Sequence, residues 1–333
     1  MNRLPRELLL LIVQFLNESS KYSLNHVLKI GEEDTSIQKR HDNIIDAIQN
    51  RYTDLFKWLW CRPKSLKDHI SNPYICLFKT DHKQIYCKEA ALSGSFEILK
   101  YIYEDHVFCE YDYDFIASQA ASGGHIEILK WFHEIGWTID RTSCTAAATN
   151  GHFEILRWLR EIIGCSWNTF ACCGAARNGH LEVLKYLHEN GCDWYGSSCD
   201  NAARNGRLDI LKYLHDNNCP WGHYTCSTAA EHNQLEVLKY LHENDCPWDE
   251  NTYTGAIING HIEIIKYLRE NGCPWSINTC NYTIVHNRLE ILKYLRSGED
   301  KCPWAENTCG YAIRYDRKDI LKYLHENGCP CTC

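Results

Sequence analysis

One seven-residue phrase constrains this chain more than any other feature. Leu181-Glu182-Val183-Leu184-Lys185-Tyr186-Leu187 returns at Leu208, Leu235, Ile262 and Leu289, each 27 residues after the last. Variants begin at Phe96, Ile126, Phe153 and Lys318, and a tenth copy, Thr53–Leu59, opens the series. Strict recurrence of this kind marks a repeat array, in which each unit is stabilised by its neighbours rather than by one shared core. It displaces the roughly two globular domains that 333 residues would otherwise imply.

The unit reads as two short helices. In the stretch from Thr225, the first carries Cys226, Ala229 and Ala230 and stops near Asn233. The second places Leu235, Val237, Leu238 and Leu241 at helical spacing. Two residues before the phrase stand Gly94, Gly124, Gly151, Gly179, Gly206, Asn233, Gly260, Asn287 and Asp316. These are the residue types that tolerate the left-handed backbone ending a helix. A second such column follows the second helix at Gly136, Gly164, Gly191, Asn218, Asp245, Gly272 and Gly328. Paired alanines (Ala90-Ala91 through Ala229-Ala230) fill a column where neighbouring helices approach closely. The expected fold is all-α: a curved helical repeat solenoid of about ten helix–turn–helix units over 41–333 with an insertion at about 61–82, preceded by residues 1–40.

The string Ala175-Ala176-Arg177-Asn178-Gly179-His180, followed by Leu181–Leu187 and then Asn190-Gly191, resembles the ankyrin repeat over about residues 41–333. Two departures stand out. The usual period is about 33 residues, and the usual Thr-Pro-Leu-His opening gives way to forms such as Cys246-Pro247-Trp248-Asp249-Glu250-Asn251-Thr252-Tyr253. The missing residues fall where ankyrin repeats carry a β-hairpin, so the hairpin is expected to be trimmed to a tight turn. Short units with Cys-Pro-Trp look like divergent ankyrin arrays of large DNA viruses of protists and of some protists. That resemblance points to such a source and to an intracellular, cytoplasmic location, the host cytoplasm if the source is viral.

The net charge of −8 gives no basic footprint for nucleic acid. The longest apolar run, Leu8 to Phe15, is too short to cross a bilayer and lacks a cleavage site after it. The 20 cysteines of a chain without an export signal read as reduced intracellular thiols. Most lie in two columns seven apart: Cys165/Cys172, Cys192/Cys199, Cys219/Cys226, Cys273/Cys280 and Cys302/Cys309, with Cys246 facing Tyr253 in its own unit. That spacing is not a zinc signature, so the columns read as small buried residues packing between units, with no metal and no cofactor; the contrasting, less favoured reading is a metal-binding protein that uses the Cys and His columns. The Trp column (Trp167, Trp194, Trp221, Trp248, Trp275, Trp304) reads as packing that pins each turn to its neighbour. One His column (His125, His152, His180, His261) follows the turn glycine and reads as a hydrogen-bonding column. A second (His133, His188, His215, His242, His325) sits late in the second helix. Residues repeated in every unit do not build one asymmetric catalytic constellation, so the chain reads as non-enzymatic.

Partner recognition is expected where units differ. The candidate surface comprises Asp200, Asn201, His223, Tyr224, Ser227, Asp249, Glu250, Thr254, Ile277, Tyr282, Glu306 and Tyr311, at turn tips and along first helices on the concave side. In ankyrin arrays these positions contact partner proteins, and the resemblance implies the same. Lys318, Arg314, Asp316 and Arg317 make the last unit a polar cap. At the other end, Leu4, Pro5, Glu7, Leu8, Ile12, Phe15 and Leu16 resemble the start of an F-box, although its usual later Trp is missing. That resemblance implies docking on a Skp-type ubiquitin-ligase adaptor. The alternative is a capping helix.

Overall fold

The computed structural model describes residues 45–53, 56, 83–104 and 113–330, and among these all regular structure is helical. The F-box-like segment, the insertion at 61–82 and most of the opening copy lie outside the described residues. Nine complete helix pairs follow one another: α1 Lys83–Ser93, α2 Phe96–Glu104, α3 Tyr113–Gly123, α4 Ile126–Glu134, α5 Arg141–Asn150, α6 Phe153–Glu161, α7 Thr169–Asn178, α8 Leu181–Glu189, α9 Gly196–Arg204, α10 Leu208–Asp216, α11 His223–Glu231, α12 Leu235–Glu243, α13 Glu250–Asn259, α14 Ile262–Glu270, α15 Thr279–Val285, α16 Leu289–Leu295, α17 Thr308–Arg314 and α18 Lys318–Glu326. Each even-numbered helix holds one copy of the phrase, and each odd-numbered helix holds the small-residue column. No hairpin stands between the pairs among the described residues, as the short period predicts.

The chain divides into two compact units, Met1–Ala147 with Glu154–Ser166, and Ala148–Phe153 with Trp167–Cys333. In the first, Ile98, Leu99 and Ile102 of α2 and Ile128, Leu129 and Phe132 of α4 are fully or almost fully buried, as are Ala90, Ala91, Ala120 and Ala121. In the second, the first helices α7 to α17 pack side by side in sequence order. Their Ala pairs are sealed from solvent, together with the triplets Val183, Leu184, Leu187 and Val237, Leu238, Leu241 of the second helices. Three apolar residues on one face leave the opposite face to charge. Glu182–Lys185, Glu236–Lys239, Glu263–Lys266 and Glu290–Lys293 form exposed pairs at 2.7–2.9 Å. Such pairs contribute only about 0.2–0.5 kcal/mol each, so the buried triplets hold the helices in place.

Both turn columns have left-handed backbone. The glycines run from φ +67° to +90°, and Asn218, Asn233, Asp245, Asn287 and Asp316 stand at φ +51° to +59°. The turn closes each helix by capturing carbonyls its own ladder leaves open. After α7, the His180 amide donates to the Ala175 carbonyl at 3.0 Å, and after α8 the Cys192 amide donates to Leu187 at 2.9 Å. The cysteine after each second-helix turn is thus drawn inward by its own backbone bond.

A buried hydroxyl column, Ser198, Thr225, Thr252, Thr279 and Thr308, runs down the first helices of the second unit. The Thr225 hydroxyl donates to the Asp200 carboxylate at 2.7 Å, and Thr308 donates to the Asn281 amide oxygen at 3.0 Å. At the end of the array, Arg314, Asp316 and Lys318 are exposed, while Arg317 donates to the Val285 carbonyl at 3.0 Å.

Candidate partner-binding surface

A partner must use side chains that the array does not spend on itself, and most repeated columns are spent. The residue after the turn glycine reaches back one unit to a carbonyl at the end of a first helix. His125 bonds Leu92 O at 3.0 Å, His261 bonds Glu231 O at 3.0 Å, and Arg288 donates to Ile258 O at 2.6 Å. His180 bonds the Thr149 backbone, and burial lowers its pKa from the usual histidine value. The hydrogen-bonding role expected of this column is therefore present.

Three members of the second His column are absorbed by stacking, while His133 and His325 are exposed. His188, His215 and His242 lie flat on Trp194, Trp221 and Trp248 at centroid distances of 3.8–3.9 Å. Each Trp also meets the edge of the tyrosine in the following second helix (Tyr213, Tyr240, Tyr267) at 6.0–6.3 Å. Where the column changes to arginine, the cation takes over the stack, with the Arg296 guanidinium 4.0 Å from the Trp304 ring. The Trp column thus joins a turn to the next unit.

The cysteines pack between units, as expected of small buried residues. Six first-helix cysteines, Cys144, Cys172, Cys199, Cys226, Cys280 and Cys309, meet a turn cysteine 20 to 22 positions on: Cys172 Sγ lies 3.1 Å from Cys192 Sγ, and Cys309 Sγ lies 3.3 Å from Cys329 Sγ. Cys246 belongs with Cys226, whose thiol points to its carbonyl at 3.8 Å, not with Tyr253. The physical reason is stacking. A turn cysteine lies beneath the preceding unit's first helix, whereas its own first helix has already moved on. No group of three or more His, Cys, Asp or Glu side chains with metal-holding geometry occurs among the described residues.

The variable positions sort by exposure. His223, Tyr224, Glu250, Ile277, Tyr282 and Glu306 are exposed. Asp200, Asn201, Ser227, Asp249, Thr254 and Tyr311 are half-buried. Several of the second group serve the fold. Asp200 accepts from Thr225, and Asp249 caps α13 by accepting from the Asn251 amide at 2.9 Å. Ser227 donates to the His223 carbonyl at 3.0 Å, and Asn201 to Ser197 O at 2.8 Å.

The most prominent apolar side chains of the second unit stand at the starts of its first helices. Phe170 is 70% exposed, Tyr224 69%, Tyr195 61% and Ile277 56%. Phe170 was not among the expected positions, although it occupies the same place in α7 as Tyr224 in α11, two residues before the helix cysteine. Tyr195 lies at the turn before α9, one of the turn positions that vary between units. Helices packed about 10 Å apart would spread these four side chains over about 40 Å. The same turn tips carry Asp193, Asp249, Glu250 and Glu306 and no Lys or Arg from 193–197, 220–224, 247–251, 274–278 and 303–307.

No helix among the described residues is long and apolar enough to cross a membrane. A family model of ankyrin repeats in three copies matches residues 115–198 and again 199–279. No curated protein matches the chain. Among solved structures, the human ASB11 ankyrin repeat domain is similar at 19% identity, covering 47% of this chain and 84% of that one with a TM-score of 0.42. Together with the helix pairs and their two turn columns, the family match identifies residues 115–279 as ankyrin repeats, and the described residues fold as a helical ankyrin-repeat solenoid.

Proposed function

We propose that the chain is a non-enzymatic protein-binding scaffold. Its second unit would receive a partner segment on the turn tips and first-helix starts around Phe170, Tyr195, Tyr224 and Ile277. One observation carries the reading: large apolar side chains stay exposed at non-repeating positions, while the repeated side chains are consumed by packing and hydrogen bonding. Aromatic residues of this kind supply most of the energy at protein interfaces. The acids at the same tips favour a partner whose apolar anchors are flanked by Lys or Arg, through charge complementarity.

Selection of a random displayed-peptide library on the purified chain tests this reading. The chain is expected to enrich peptides with apolar anchors and basic flanks. The double variant Phe170→Ala with Tyr224→Ala should bind the enriched peptides about 30-fold more weakly, which is about 2 kcal/mol. Unchanged far-UV circular dichroism would show that the variant remains folded. Absence of enrichment, or equal binding by the variant, would sink the proposal.

The F-box-like opening supports a second, narrower reading, in which Leu4, Pro5, Glu7, Leu8, Ile12, Phe15 and Leu16 engage a Skp-type adaptor and the array selects a target for ubiquitination. A Skp-type adaptor should then co-purify with the full chain and not with Leu8→Asp plus Ile12→Asp. Equal recovery of adaptor, or none with either chain, leaves only the scaffold.

A further inference from the structure

The thiol ladder is used by neither reading. The fifteen described cysteines are all outside disulfides. Twelve of them fall into six cross-unit pairs: Cys144 with Cys165 in the first compact unit, and Cys172 with Cys192, Cys199 with Cys219, Cys226 with Cys246, Cys280 with Cys302 and Cys309 with Cys329 in the second. In each pair one sulfur comes from a first helix and the other from the turn that ends the following second helix. Packing alone does not require sulfur on both sides. At the register where the turn residue is Trp137, the helix position is Ala117.

We propose that these six pairs are latent disulfides, which a hydroperoxide closes one by one and a thiol reductant reopens. The distances favour this over a bridging metal. A disulfide brings the sulfurs to about 2.05 Å, so pairs at 3.1 and 3.3 Å need only a small inward rotation. A thiophilic cation held linearly at about 2.3 Å from each sulfur would instead push them to about 4.6 Å.

The two members of a pair have different roles. First-helix sulfurs are sealed or nearly so, whereas five of the six turn sulfurs lie nearer the surface, as far as 7% exposure at Cys165 and 9% at Cys329; Cys302 is sealed like its partner and should be the slowest to react. The turn thiol is the one a small oxidant reaches. The hydrogen bond it receives from its buried partner lowers the pKa of Cys165, Cys219 and Cys302, while the same bond, reinforced by burial, raises Cys144, Cys199 and Cys280. In these three pairs that polarity makes the turn sulfur the attacking thiolate and the helix sulfur the resolving thiol.

The chemistry balances with hydrogen peroxide as the oxidant. The turn thiolate attacks one peroxide oxygen and breaks the O–O bond. This forms a sulfenic acid, and the departing hydroxide takes the thiol's proton to become water. The helix sulfur then attacks the sulfenic sulfur and forms the S–S bond, while the sulfenic hydroxyl leaves with the second thiol proton as another water. Two electrons leave the pair and reduce one peroxide to two waters.

The array contains its own control. Cys273 occupies the turn position but faces Tyr253 instead of a thiol, and burial pushes its pKa up to about 12. It has no resolving partner at its register and is expected to form no cross-link.

The test is to treat the reduced full chain with hydrogen peroxide under native conditions and map its peptides without reduction. The expected links are the six named pairs, each with a mass loss of about 2 Da because two hydrogens leave. Cys273 should remain outside them, and dithiothreitol should restore every thiol. Oxidation should also raise Tm by several degrees, because each link closes a loop of about 20 residues in the unfolded chain. Cys219→Ser should remove the link to Cys199 and leave the other five. The proposal is overturned if the native thiols resist peroxide and react only in denaturant. It is equally overturned if the turn cysteines end as sulfinic or sulfonic acids, or if the links join other cysteines.

Discussion

Gly151→Ala is expected to destabilise the chain by about 2–4 kcal/mol, and Gly191→Ala by about 1–2 kcal/mol. Both glycines sit at φ +78°, so the strain of forcing an L-residue into the left-handed region is common to both. Their surroundings differ. A Cβ at Gly191 would meet nothing within 4 Å, whereas at Gly151 it would stand 2.5 Å from the His180 ring. That ring cannot bend away like a flexible chain. It must shift bodily and give up its bond to the Thr149 backbone, leaving a partly buried polar group without its partner. Equilibrium urea unfolding followed by circular dichroism measures both costs. Equal losses would show that His180 yields freely and that the turn glycine is there for its backbone angle alone.

The same pair of glycines shows what the sequence could and could not reveal. Left-handed turns are dictated by a local backbone requirement, and Gly, Asn and Asp advertise it at each position. Both turn columns were therefore legible before any coordinates. The ring lying over Gly151 belongs to the next unit and was not legible as a contact. The cysteines repeat that lesson. Two columns of small buried residues packing between units were legible, but not which sulfurs touch: Cys172 meets Cys192, because stacking one unit on the next sets which columns touch. Asp200 and Tyr224 mark the other boundary. Both are variable and polar or aromatic, but the Thr225 hydroxyl one unit on engages Asp200 in the fold, while Tyr224 stays exposed. Sequence variation locates positions freed from the repeat. It does not separate those taken up by a neighbouring side chain from those left to solvent.

The short unit also had to replace something. Ankyrin repeats carry a hairpin between units, and no hairpin occurs among the described residues here. In the second compact unit the ties between neighbours come from side chains. These are the His–Trp stack against the next tyrosine, the His or Arg reaching back to a helix-end carbonyl, and the turn thiol donating to the residue just before a first helix of the preceding unit, as Cys219 Sγ does to Tyr195 O at 3.5 Å. Each is individually modest, on the order of 1 kcal/mol. Their recurrence at several registers makes the interface between units the sum of many such terms, as nearest-neighbour stabilisation of a repeat array requires.

If that account holds, the phrase itself should be where the array is most fragile. Leu238→Ala is expected to cost about 2–5 kcal/mol, the range for a fully buried leucine whose loss leaves a cavity. Leu238 is sealed between Val237 and Leu241 on the buried face of α12, midway along the second compact unit, where it lies far from either end of the repeats. Because each repeat is held by its neighbours, the loss should not be spread evenly. The unfolding transition should move to lower urea and broaden, as repeats on either side of α12 lose cooperativity with each other. Tyr224→Ala provides the contrast, since an exposed side chain on α11 should change stability by no more than about 0.5 kcal/mol. A Leu238→Ala cost below about 1 kcal/mol, or one matched by Tyr224→Ala, would mean that the recurring phrase is not the core on which these units depend.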